Sequence, residues 1–81
     1  MRIRLLAFAS AADALGRDAQ EIELADGADV AALRRELAER FPSLAGVLPR
    51  AAIAVDGEIG AAGRPLAGAT EVAILPPVSG G

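Results

Sequence analysis

In one stretch of this chain, between Asp29 and Pro42, apolar residues recur at the spacing of a long helix. Val30, Leu33, Leu37 and Phe41 stand at i, i+3, i+7 and i+11, a single stripe down one side. Arg34, Arg35, Glu36, Glu39 and Arg40 populate the opposite side. Asp29 suits the N-cap, because its carboxylate can accept from free N–H groups of the first turn. Pro42 ends the helix, since the residue before a proline avoids helical backbone. One apolar stripe needs one apolar surface to lie on, and the segments on either side of it supply strands.

Met1 to Phe8 alternates, with Ile3, Leu5 and Ala7 on one side and Arg2, Arg4, Leu6 and Phe8 on the other. Gln20 to Leu24 alternates again, Ile22 and Leu24 inward and Glu21 and Glu23 outward, and predicts a hairpin partner for the first strand. Ala9 to Asp18, small and polar, reads as an irregular connection containing Gly16. Beyond the helix, Ser43 to Arg50 reads as a loop anchored by Leu44, Val47 and Leu48. Ala51 to Val55 is a short strand closed by the Asp56-Gly57 turn. Gly60 to Gly63 is irregular, and Pro65-Leu66-Ala67-Gly68 makes a further turn. Glu71 to Leu75 is the last strand, Val72 and Ile74 facing one way and Ala73 and Leu75 the other. Pro76-Pro77 cannot continue a central ladder, because proline has no N–H to give.

The order strand, strand, helix, strand, strand implies a mixed sheet of four to five strands with one main helix covering one face. Placing the first and last strands side by side at the centre gives an α+β domain of the β-grasp (ubiquitin-like) kind. The domain is expected over residues 1–77, with residues 78–81 as a flexible Gly-Gly tail.

Composition removes several chemistries. Cysteine and histidine are both absent, which excludes thiol nucleophiles, disulfides, zinc-thiolate sites and the commonest general base. A net charge of −3 without a basic cluster argues against nucleic acid. No apolar run approaches the ~20 residues of a membrane span, so a cytoplasmic protein without membrane or metal sites is expected.

Two features remain to carry function. The sequence ends Val78-Ser79-Gly80-Gly81 after the two prolines. A terminal carboxylate is a unique group, and glycines without Cβ make a thin backbone able to thread a narrow channel. Adenylation would turn the Gly81 carboxylate into an electrophile, and a sulfur donor would then leave a thiocarboxylate. The second feature is apolar residues facing away from the helix: Leu6, Phe8, Ala73 and Leu75, extended by Ile59. Contiguous apolar surface of this kind marks a partner site.

The ending Pro76-Pro77-Val78-Ser79-Gly80-Gly81 resembles that of the small subunit of molybdopterin synthase, a ubiquitin-like sulfur-carrier family. Pro65-Leu66 before Glu71-Val72-Ala73, Phe8-Ala9 closing the first strand, Leu15-Gly16, the helix from Val30 and Ala54-Val55 extend the resemblance over nearly the whole chain. It implies adenylation of Gly81 by an ATP-using, ubiquitin-activating-like enzyme, with no cofactor held permanently. Conversion to a thiocarboxylate would follow, then insertion of the tail into the large synthase subunit, where sulfur passes to a pyranopterin precursor. The assembly implied is a heterotetramer in which the chain is no enzyme by itself. Phe8, Ile59 and Leu75 match the family's partner-facing apolar positions, while Val78, Ser79 and Gly80 thread with Gly81. Two turns depart from the pattern: Val55-Asp56 stands where Val-Asn is common, and Ala67-Gly68-Ala69-Thr70 where an acidic turn is common. Alternative readings are a sulfur carrier for thiamine or amino-acid synthesis, a protein-conjugating modifier, and a binding module with an incidental glycine tail.

Overall fold

The computed structural model describes residues 1–77. Its centre is a parallel pair, β1 (Arg2–Ala7) and β5 (Glu71–Leu75), with Leu5 opposite Val72 and Ala7 opposite Ile74. β2 (Ala19–Glu23) adds antiparallel to the outer edge of β1. β3 (Ala52–Val55) adds antiparallel to β5, and β4 (Glu58–Ile59) to β3. The order β2-β1-β5-β3-β4, crossed on one face by the helix α2 (Val30–Arg40), is the β-grasp arrangement.

Alternation builds the core. Ile3 and Leu5 from β1, Ile22 from β2, Ile53 and Val55 from β3, and Val72 and Ile74 from β5 are all buried. Val30, Leu33 and Leu37 of α2 meet them and are fully buried. Leu44, Leu48 and Leu66, from the connecting segments, belong to the same cluster and are buried as well. Phe41, the fourth residue of the expected stripe, is the C-cap of α2 and is only partly buried against the core.

The start of α2 is fully satisfied. Asp29 accepts from Ala32 N–H at 2.9 Å. Val30 and Ala31 donate to the carbonyls of Arg64 and Ala62 at 3.0 and 2.9 Å. The loop between β4 and β5 is thereby tied to the helix. Gly60 permits that approach: a Cβ there would lie 3.2 Å from methyl groups of Val30 and Val55.

Three segments differ from the sequence reading. Ser10–Leu15 is a short helix, α1, where an irregular connection was expected. No side chain caps its start, which is why it left no polar signal, but Gly16 closes it in left-handed conformation. Residues 43–50, expected as loop, form two 3₁₀ turns, Pro42–Leu44 and Leu48–Arg50, whose Leu44 and Leu48 are the expected anchors. The Asp56-Gly57 turn leads into β4, a strand too short to display alternation.

Candidate functional site

Register shows which side chains share the face that α2 leaves uncovered. Across the sheet, Leu6 is opposite Ala73, Ala73 opposite Ala54, and Ala54 opposite Ile59. One step further along, Leu75 is opposite Ala52. Phe8 follows Ala7 as Leu75 follows Ile74, and Ala7 and Ile74 are themselves partners, so Phe8 and Leu75 lie at the same end. This row spans three strand spacings, about 14 Å at ~4.8 Å each. The structure therefore brings Phe8, Ile59 and Leu75 onto one surface, as the sequence predicts, together with Leu6 and Ala73. Phe8 is 48% and Ile59 65% exposed, while Leu6, Ala73 and Leu75 are half-buried.

Ala52 and Ala54 belong to the same face and were not named from sequence. The alternation of Ile53 and Val55 with Ala52 and Ala54 held the signal. Ala54 is only 6% exposed although it stands outside the main core, so it forms the floor between bulkier neighbours.

The other half of this face is charged. Arg2 is opposite Glu23, and Arg4 has Glu21 on one side and Glu71 on the other. Arg2 approaches Glu23 to 3.5 Å and Glu21 to 4.0 Å. Because β1 and β5 run parallel, their charged residues coincide at one end and their apolar residues at the other. β5 stops at Leu75, and Pro76 and Pro77 leave the sheet at the apolar end. The expected tail residues Val78, Ser79, Gly80 and Gly81 lie outside the described residues.

A polar clamp fixes the beginning of β5. Asp56 and Gly57 have φ of 47° and 86°, the two left-handed residues of a type I′ hairpin turn. The Asp56 carboxylate accepts from both Thr70 and Glu71 N–H at 3.0 Å, while its own N–H donates to Glu71 O at 3.0 Å. The Glu71 and Thr70 N–H groups, helped by the Arg64 charge, hold its pKa below the ordinary value of 3.8 against a smaller opposing effect of desolvation. Among the described residues no His, Cys, Asp or Glu cluster is arranged to hold a metal ion. No helix among them is long and apolar enough to cross a membrane.

Comparison with known proteins gives a match to the ThiS family over residues 5–81. The chain belongs to the ThiS family. A family relative, a molybdopterin synthase sulfur carrier subunit from Caenorhabditis briggsae, is 32% identical, with 98% of this chain and 96% of the relative covered. Among solved structures, SAMP1 from Haloferax volcanii superposes with a TM-score of 0.86 at 26% identity, both chains covered completely. A chain from the complex of subunits 1 and 2 of the molybdopterin-converting factor of Helicobacter pylori gives a TM-score of 0.70 at 25% identity, again covering both chains completely. The β-grasp fold of this chain is thus the fold of its relatives.

Proposed function

We propose that this chain is the sulfur-carrying small subunit of a molybdopterin synthase, working in the cytoplasm through the carboxylate of Gly81. The observation that carries the reading is that the sheet's apolar end, with Phe8 and Leu75, is also the end at which Pro76 and Pro77 direct the chain toward its terminus. A partner seated on Leu6, Phe8, Ile59, Ala73 and Leu75 lies within reach of the reactive group. Four residues extend at most ~14 Å. Similarity to the C. briggsae sulfur carrier subunit over nearly the full length supports the pathway.

The chemistry begins in an adenylating enzyme of the ubiquitin-activating type. An oxygen of the Gly81 carboxylate attacks the α-phosphorus of ATP, pyrophosphate departs, and an acyl-adenylate forms. A sulfur nucleophile then adds to the acyl carbon and expels AMP, leaving a terminal thiocarboxylate. In the heterotetramer with the large subunit, this sulfur attacks a carbon of the pyranopterin precursor, an oxygen substituent leaves that carbon, and a thioester joins the precursor to Gly81. Water then attacks the acyl carbon and breaks its bond to sulfur, so the sulfur stays on the pterin as a thiolate and Gly81 returns as a carboxylate for another cycle. The folded body supplies the handle, and the residues of the large subunit supply the acid–base chemistry that this chain lacks.

The test is the intact mass of the chain after incubation with ATP, an activating enzyme and a sulfur source. The expected result is the gain for exchange of one oxygen by sulfur, lost when Gly81 is deleted. No gain with a competent activating enzyme overturns the reading. Likeness to SAMP1 favours a second reading, a modifier joined through Gly81 to amines of other proteins. Isopeptide-linked adducts in place of the thiocarboxylate would select it.

A further inference from the structure

Ala9 and Asp56 are the non-glycine residues with positive φ among the described residues. Asp56 sits in a hairpin turn that favours such a residue. Ala9 does not have that excuse. Its φ of 51° and ψ of −126°, with Ala11 N–H donating to Phe8 O at 3.0 Å, make Phe8–Ala11 a type II′ turn. The first central position of that turn favours glycine, so an alanine there is strained and persists only where its surroundings fix it.

Ala11 is fully buried, and Leu15 packs against the core. Ser43 Oγ donates to Ala14 O at 2.6 Å, holding α1 to the first 3₁₀ turn. The residue just before the strained one is Phe8. Phe8 itself forms one wall of a depression of about 420 Å³, whose other walls include Leu6, Ala12, Asp18 and Ala19. An aromatic ring gains by sinking deeper into such a space, yet Phe8 stays at its rim, 48% exposed.

We infer that Ala9 is a positioning residue: its strained turn fixes the backbone direction from which Phe8 stands out over the end of the sheet beside Leu75. The inference rests on the reading of that surface as the docking face. Glycine at this position removes the strain but admits more backbone conformations, and the ring can then sink deeper into the depression that it now only borders. Serine keeps the Cβ, and with it the restriction.

The experiment compares Ala9→Gly, Ala9→Ser and Phe8→Ala in the full chain, titrated against the large synthase subunit, with thermal midpoints in the same buffer. Ala9→Gly is expected to melt at or above the wild-type temperature and to bind about tenfold more weakly. Its Phe8 amide order parameter is expected to fall from a rigid ~0.85 toward ~0.6. Ala9→Ser is expected to bind as wild type. A fold-stabilising role alone would move the midpoint and leave affinity unchanged. If Phe8→Ala weakens binding and Ala9→Gly does not, the role of Ala9 is overturned while the docking face stands. If Phe8→Ala itself binds as wild type, the docking reading fails and the role of Ala9 with it.

Discussion

The carboxylate of Asp56 accepts two backbone N–H groups of the segment entering β5 while its own backbone turns the β3–β4 hairpin. An acidic residue here therefore does what asparagine also does at a left-handed turn position, and adds a charge that strengthens both hydrogen bonds. Asp56→Ala is expected to lower the thermal midpoint clearly, and Asp56→Asn less, since an amide oxygen still accepts. The pH dependence follows from the lowered pKa. Stabilisation by Asp56 is complete above its ordinary value of 3.8 and is lost as pH falls through the lower folded value. The gap in midpoint between wild type and Asp56→Asn should be largest near neutrality and narrow in strong acid; a gap that does not depend on pH would refute the assignment. Arg34 offers a second case. Its guanidinium donates to Leu48 O at 2.7 Å and to Ala51 O at 2.8 Å, closing the second 3₁₀ turn against α2. Arg34→Ala is expected to cost about 1–3 kcal/mol by denaturant midpoint. Arg34→Lys should recover only part of this, because an ammonium cannot span both carbonyls with a planar fork.

α2 was legible because three independent signals agree on it: the apolar stripe, the Asp29 cap and the Pro42 stop. Asp29→Ala is expected to cost about 1 kcal/mol through loss of the bond from Ala32 N–H, read as a fall in unfolding free energy. β1, β2, β3 and β5 were legible for a comparable reason, since one buried face forces a period of two. α1 and β4 were not. α1 has six residues, no capping side chain and an alanine-rich sequence without an amphipathic stripe, leaving Gly16 as its main mark. β4 has two residues, both exposed, so burial imposes no pattern on it. Arg34 reads from sequence only as one of the residues opposite the apolar stripe, because spacing cannot reveal a carbonyl pair from a distant turn. The surface around Phe8, Ile59 and Leu75 was legible as excess apolar residues on the outward side of strands. Its alanine floor was passed over because small residues stand out only once register aligns them.

The molecule separates its charged and apolar surfaces along the strand direction rather than between strands. Arg2, Arg4, Glu21, Glu23 and Glu71 occupy one half of the uncovered face, and Leu6, Phe8, Ala73, Leu75 and Ile59 the other. Substituting Asp for Phe8 or Ile59 leaves the core untouched. Each variant is expected to keep its midpoint within about 0.5 kcal/mol of wild type in stability. Each is also expected to bind the large subunit at least tenfold more weakly, a loss of about 1.4 kcal/mol in a binding titration. Wild-type affinity in both would place the partner elsewhere on the molecule.

The central parallel pair also sets an order of events during synthesis. β1 is made early, but its inner neighbour β5 follows only after β2, α2, β3 and β4, so Arg4 waits for Glu71 before the middle of the sheet can close. Contacts between residues so distant in sequence form late and slowly. A ribosome-bound or truncated chain lacking β5 leaves β1 and β3 without their shared neighbour. Until β5 is made, the uncovered face lacks Ala73 and Leu75 and the middle of the sheet stays open, so surface and central ladder are completed in one step.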